Sequence, residues 1–166
     1  MSIDFIRRIT LFIILCAAQV LVFNNIHLFG CATPLPYVYI VMVFPLDYPR
    51  WAMLLWSFIA GLIIDIFSNT PGVAAGAMTL SAMIRPLTLM PFVPRDCDES
   101  MVPGMRTMGI TPFVSHTVIT VAVYCLVFFL LEIFSVDGWL QWLKCFGGST
   151  VLTAVFIIAI ESLRRR

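Results

Sequence analysis

The sequence predicts an all-α membrane protein, a bundle of six transmembrane helices, and three observations lead to it. Of 166 residues, 61% are hydrophobic and only 11% are charged, against roughly 25% charged in a soluble domain. The mean hydropathy is +1.01. The apolar residues also fall in six long segments, with the charges gathered in short connections between them. No hydrophilic stretch could build a second folded unit, since the longest polar connection runs only from Val93 to Thr111. Residues 1–166 therefore read as a single integral membrane domain. Ten basic against nine acidic side chains leave a net charge of +1, which gives no bulk field for a nucleic-acid partner.

The first segment, Phe5–Leu28, has the basic start of a signal peptide, but its small residues Cys16–Ala18 are followed by further apolar chain. It reads as an uncleaved first span. The second, Pro34–Leu46, falls short of the about 20 apolar residues a helix needs to cross a bilayer core of about 30 Å. A re-entrant hairpin, a thin region of the bundle, or a span extended by "DYPRW" to about residue 48 are the options that length leaves. The remaining segments, Trp51–Phe67, Val73–Phe92, Pro112–Phe134 and Trp139–Leu163, are long enough. Pro34 and Pro36 can open the second helix, and Pro45 and Pro49 interrupt it near a surface, where lost backbone bonds can reach water. Trp51, Trp56, Trp139 and Trp142 stand at or near segment starts, as in an interfacial aromatic belt.

Charge decides the parity of the crossings. Arg7 and Arg8 stand at the first helix, and Arg164, Arg165 and Arg166 stand at the other terminus. Lysine and arginine mark the cytoplasmic side, so both termini are expected there and the number of spans is even. The second segment then spans. Arg50, Arg95 and Arg106 also become cytoplasmic, leaving Lys144 near the outer face and Arg85 inside the fourth span. The outer connections "NNIHLFGCAT", "SNTP" and "SVDG" contain no lysine or arginine.

Within the spans the polar residues are few. Asp65 lies near the outer end of the third segment, where a carboxylate costs less than the roughly 2.5 to 3.5 kcal/mol it would cost at a helix centre. It can serve as a cap on the amides of "SNTPG", as a proton or ligand site, or as a packing contact. Arg85 precedes Pro86 and lies about 18 to 20 Å from the outer face, too deep to pair with Asp65. It is expected to snorkel toward lipid phosphates or Asp47, with substrate binding as the sharper alternative. Small residues four apart, Ser57 with Gly61, Gly72 with Gly76, and Ala77 with Ser81, predict close packing of the third and fourth helices across the short "SNTP" turn. Gly147, Gly148 and Ser149 read as a packing notch.

The chemistry-bearing residues are sparse. His27 and His116 fall at opposite ends of the bundle, and the five cysteines, Cys16, Cys31, Cys97, Cys125 and Cys145, have no C-x-x-C or zinc spacing. Neither G-x-S-x-G, H-E-x-x-H nor a G-x-x-x-x-G-K-[ST] loop occurs. The acidic knot "RDCDES" reads as a solvated loop. No cofactor and no metal are expected, and nothing in the sequence points to an enzyme.

The stretch "GLIIDIFSNTPG" resembles the signature of the rod shape-determining protein MreD family, G-L-x-x-D-x-x-S followed by proline and glycine. "FNNIHLFGCATPLPYVYIVMVFPLDYPRW" resembles the outer loop, second span and cytoplasmic turn that precede it in that family. The likeness covers roughly Gln19 to Leu89, with Gly61, Leu62, Asp65, Ser68, Pro71 and Gly72 as the matching positions. Gly76 belongs with them as a packing or partner contact, and Arg85 as an intramembrane basic residue. The resemblance implies a multi-pass component of the bacterial inner membrane that acts in cell elongation and rod shape. Its implied partners are an MreC-like single-span periplasmic protein and, indirectly, MreB-like filaments and peptidoglycan synthases. It also implies a fold similar to the substrate-binding subunits of energy-coupling-factor transporters. No catalytic residue comes with it. A small-molecule-binding or transport subunit is the alternative, because a bundle of this size can enclose a midplane cavity.

Overall fold

A computed structural model describes residues 2–23, 33–93, 101–132 and 139–165. The described elements are α1 (Ser2–Leu21), α2 (Tyr39–Met42, entered through a 3₁₀ turn at Pro36–Val38), α3 (Arg50–Ser68), α4 (Val73–Leu89, continued by a 3₁₀ turn at Met90–Phe92), α5 (Met105–Met108), α6 (Ile110–Glu132) and α7 (Trp139–Arg165). Among the described residues there is no strand. Arg50–Ser68, Val73–Phe92, Ile110–Glu132 and Leu143–Arg164 are the 4 helical stretches long and apolar enough to cross a membrane, and α1 contributes the shorter apolar stretch Arg8–Leu21. They follow the third to sixth segments expected from sequence. The end of the expected first span, residues 24–28, and of the fifth, residues 133–134, lie outside the described residues.

The expected second span departs from a regular helix. It is helical only from Pro36 to Met42. Pro34, Pro36 and Pro45 lack the amide that a helix needs, and Pro45 pushes Phe44 away from helical backbone angles. The segment nevertheless runs alongside α7 from Ser149 to Glu161. The Thr33 amide meets Ser149 Oγ, the Leu35 amide meets Thr153 Oγ1, and the Tyr39 hydroxyl meets Glu161. Those positions on α7 extend over about 18 Å at about 1.5 Å per residue. Residues 34–45 are all buried.

The bundle buries a hydrophobic core with a set of polar residues embedded in it, and its outer surface is apolar. Buried positions include Gln19, Ser57, Asp65, Ser81, Arg85, His116, Thr120, Ser149, Thr153 and Glu161, whereas Leu55, Phe58, Leu62, Ile66, Leu80, Met83, Leu87, Leu126, Leu130, Val151 and Val155 are exposed. An apolar outer surface suits lipid, where only packing and internal hydrogen bonds hold helices together. Hydroxyls that cannot reach a neighbour bond back within their own helix, as Ser57 does to the Met53 carbonyl, Thr79 to Ala75 and Thr117 to Phe113.

Among the described elements the most extensive helix pair is α3 against α4, followed by α4 against α6 and α6 against α7. Small buried residues gather on the two helices of the first pair: Ser57, Ala60 and Gly61 on α3, Ala74, Ala75, Ala77 and Ser81 on α4. Gly61 is the point of closest approach. A Cβ there would stand 2.6 Å from the Ala74 carbonyl oxygen and from the Ala75 amide nitrogen, which is backbone that cannot step aside. Gly76 faces the other neighbour, with a Cβ meeting Leu131 of α6 at 3.3 Å. Helix α1 lays Phe12, Leu15, Cys16 and Gln19 inward at helical spacing, and Phe12 meets Trp56 edge-on at 5.4 Å.

One end of the bundle is tied together between distant parts of the chain. The Arg8 guanidinium lies 5.8 Å from the centre of the Tyr48 ring, the Leu46 amide donates to Met101 O, and the Met105 amide donates to Glu161. Arg50 and Arg164 belong to this same end, at the start of α3 and the finish of α7. We refer to it as the basic end. The Asp65 turn lies at the opposite one.

The contact at Gly61 generates a prediction. Gly61→Ala should lower the thermal midpoint of the purified protein in detergent by several degrees and reduce its yield, because backbone must shift to admit the methyl group. Gly147→Ala, where an added Cβ meets nothing within 4 Å, should leave both unchanged. Equal behaviour of the two variants in a thermal-shift assay would remove Gly61 from the α3–α4 contact.

Candidate functional site

The site begins at the α3–α4 hairpin. Helix α3 ends because Asn69 takes a left-handed conformation, φ 58°, and returns its amide to the Asp65 carbonyl. Asparagine tolerates that region better than most residues. Gly72, also left-handed at φ 84°, then starts α4. Neither cap residue supplies a side-chain oxygen to the first amides of α4. Asp65 supplies both. One carboxylate oxygen accepts the Ala74 amide at 2.8 Å and the Thr70 hydroxyl at 3.1 Å, and the other accepts the Ala75 amide at 2.8 Å.

A helix leaves its first amides without internal partners and carries partial positive charge at that end. Asp65 answers both needs from the preceding helix. It can do so because Gly61, one turn earlier, lets the two backbones touch. The carboxylate is 4% exposed, and of the three roles the sequence left open its hydrogen bonds are those of a cap, on the Ala74 and Ala75 amides of α4 rather than on those of the turn itself. Among the other motif positions, Leu62 is exposed on the lipid side of α3, Ser68 is partly exposed at its end, and Pro71 and Gly72 are exposed in the turn.

The second part of the site is the buried segment 33–46 and the side chains that satisfy its backbone. At its entrance Gln19 Nε2 donates to the Pro34 carbonyl at 3.3 Å, and the Ser149 and Thr153 hydroxyls accept the Thr33 and Leu35 amides at 3.2 and 3.0 Å. In the middle the Tyr37 hydroxyl pairs with that of Tyr124, with the rings edge-on at 5.7 Å. At its exit Arg85 Nη2 donates to the Phe44 carbonyl and, at 3.4 Å, to the Met42 carbonyl, while Nη1 lies 3.5 Å from Met53 Sδ.

This corrects the expectation for Arg85. It makes no contact with Asp47; at 4% exposure it donates to the Met42 and Phe44 carbonyls, because α2 ends at Met42 and leaves carbonyls that no helix continues to satisfy. Asp65 and Arg85, as expected, share no contact. Ser149 likewise does more than shape a notch, since its hydroxyl receives the incoming chain.

Glu161 was not singled out from sequence. Its Oε1 accepts the Met105 amide at 3.3 Å, its Oε2 accepts the Tyr39 hydroxyl, and Arg164 lies 3.7 Å away. Gly104 comes so close that a Cβ would stand 2.8 Å from Oε1. One carboxylate thus joins α2, α5 and α7. The available signal was an acid alone in the apolar run that leads to the terminal arginines.

Between α4 and α6 a further polar seam is buried, with Ser81 and Arg85 on one helix and His116, Thr120 and Tyr124 on the other at helical spacing. His116 Nδ1 lies 3.3 Å from the Thr88 carbonyl. Ser81 Oγ, Arg85 Nε, His116 Nε2 and Thr120 Oγ1 have no hydrogen-bond partner among the described residues. Cys16 and Cys125 are buried as small apolar groups. His27, Cys31, Cys97 and the "RDCDES" knot lie outside the described residues. Comparison with family models, with curated proteins and with solved structures returned no match.

Two predictions follow from these hydrogen bonds. Asp65→Asn keeps one acceptor oxygen and should destabilise the protein by about 1–2 kcal/mol, while Asp65→Leu abandons both α4 amides and should cost about twice that. Reversible unfolding in mixed micelles would measure both, and a leucine variant as stable as wild type would exclude the capping role. Thr153→Ala should cost about 1–3 kcal/mol by stranding the buried Leu35 amide, and Ser149→Ala less, since the Thr33 amide it serves is only part-buried. Thr10→Ala, at an exposed hydroxyl that only bonds back to Ile6, serves as the control and should change nothing measurable.

Proposed function

We propose that this chain is a non-enzymatic scaffold of the bacterial cell-elongation machinery, a protein of the MreD kind that works beside an MreC-like single-span partner in the inner membrane. What supports the reading is the use made of the motif residues. Gly61 admits the neighbouring backbone and Asp65 caps it, so these two build the hairpin rather than perform chemistry. Leu62 and Pro71 are left on the outer surface, where a partner helix can read them. Ser149, Thr153 and Glu161 likewise accept backbone amides, and Gln19 and Arg85 donate to backbone carbonyls.

On this reading the chain crosses six times, with both termini in the cytoplasm. The second crossing is made by the irregular segment 33–46, which is possible because protein surrounds it. The basic end of the bundle is then cytoplasmic. The likeness in shape to substrate-binding subunits of energy-coupling-factor transporters belongs to the same proposal. A small-molecule-binding or transport subunit is the second reading, favoured by the cavity beside Arg85.

The test is co-purification in mild detergent with an MreC-like protein from cells that make both. Wild type should retain the partner, and Leu62→Trp should reduce its recovery at least about fivefold while leaving the thermal midpoint unchanged, because a rim of binding energy of about 1 kcal/mol is worth that factor. Gly76→Leu should instead disturb α4–α6 packing and lower stability. Failure of the wild type to retain any such partner would sink the scaffold reading. An active alkaline phosphatase fused at the C-terminus would sink the six-span topology.

A further inference from the structure

Arg85 is buried in the last turns of α4, and among the described residues no carboxylate pairs with it. Its hydrogen bonds go to two neutral carbonyl oxygens and its other contact is a thioether sulfur. Among the described residues the one ion pair is Arg164 with Glu161, at the finish of α7. Arg85 Nε has no partner there either. Carbonyl dipoles partly offset a guanidinium charge, but an intramembrane cation without an anion remains costly and characteristically marks a ligand or ion path.

Arg85 also lines a cavity of about 350 Å³ at the basic end, together with Leu46, Tyr48, Arg50, Met53 and Leu89. Among the described residues that line it none is an aspartate or a glutamate, and Arg85 and Arg50 both border it. Arg50 is the first residue of α3, whose start has no side-chain cap; the partial positive charge of a 19-residue helix adds to the same sign. The cavity is far larger than a halide needs and falls within the range of about 300–1,000 Å³ typical of small-ligand sites. Its rim includes Met90, and Trp51 and Leu87 stand nearby on the two helices, all strongly exposed and apolar.

We infer that this cavity binds the phosphate of an anionic phospholipid. The phosphate sits between Arg85 and Arg50, and the acyl chains leave along the apolar surface of α3 and α4. Free phosphate offers the arginines the same kind of anionic oxygens without the ester chains. The apolar rim selects the lipid. The inference does not depend on the scaffold reading.

The experiment uses the purified, delipidated full chain, with binding followed by tryptophan fluorescence and by thermal shift. It compares a short-chain phosphatidylglycerol, the corresponding phosphatidylcholine, and inorganic phosphate at matched ionic strength. Phosphatidylglycerol should bind saturably and raise the midpoint, with phosphatidylcholine at least about tenfold weaker and phosphate without effect below millimolar concentration. Arg85→Gln should abolish the lipid response, but it also alters support for Met42 and Phe44. Arg50→Glu, at an exposed position outside the packed core, should fold as wild type and weaken phosphatidylglycerol about tenfold or more. Equal binding of the two lipids, or wild-type affinity in Arg50→Glu, would overturn the site. Stabilisation by inorganic phosphate equal to that by phosphatidylglycerol would overturn the lipid as its source.

Discussion

The structure depends on one constraint, that a backbone inside a bilayer finds no water for its amides and carbonyls. Regular helices meet it by themselves, and α3, α4, α6 and α7 do. The segment 33–46 cannot, because three prolines break it into a 3₁₀ turn and one turn of α-helix. Its backbone groups must be satisfied from outside the segment, and several of the buried polar side chains meet that need. Gln19, Ser149 and Thr153 serve its entrance, and Arg85 serves its exit. A single unsatisfied group of this kind costs about 1–3 kcal/mol, a large fraction of the stability of any domain. The broken segment is therefore central rather than peripheral: it can exist only where α1, α4 and α7 surround it.

The hairpin of α3 and α4 solves a smaller form of the same problem. The turn is short, so the first amides of α4 would face lipid headgroups or apolar side chains with nothing to accept them. Asp65 reaches them from the previous helix, and it can do so only at the interhelical distance that Gly61 permits. The two residues work as one device. A larger side chain at position 61 would move the carboxylate away from Ala74 and Ala75 as surely as removing it.

Much of this architecture was legible in the sequence, for definite reasons. Four long apolar runs gave four membrane-length helices, since length and hydropathy act locally. Small residues at four-residue spacing in Ser57–Gly61 and Ala77–Ser81 marked the α3–α4 contact, but Gly72–Gly76, read the same way, does not join it, since Gly76 faces Leu131 of α6 and Gly72 lies in the turn. For Asp65 the sequence left capping, a ligand site and a packing contact open. The role of Arg85 was not legible. Snorkelling is the common fate of an arginine near a span's end, and only the tertiary position of the broken α2 supplies carbonyls strong enough to turn it inward. Glu161 escaped notice for the same reason, as its partners Tyr39 and Met105 are remote in sequence. The second segment was short for a span, and the sequence alone could not say that protein would enclose it.

The identity of the residue at position 85 carries a further consequence. Two carbonyls could be satisfied by a neutral donor such as glutamine, whose amide group offers two N–H groups without the roughly 2.5 to 3.5 kcal/mol that a central charge adds to insertion. An arginine placed there meets the backbone requirement and exceeds it by one full charge. Its planar fork keeps Nη2 on the Met42 and Phe44 carbonyls while the guanidinium also borders the cavity that Arg50 shares. Lysine would offer a point charge without that fork. The excess charge is thus explained by an anion at the cavity and not by the fold, and an occupied cavity would in turn hold the end of the buried segment in place. Ligand and backbone then stabilise each other through one side chain, which makes the basic end of the bundle more ordered when the anion is present than when it is absent.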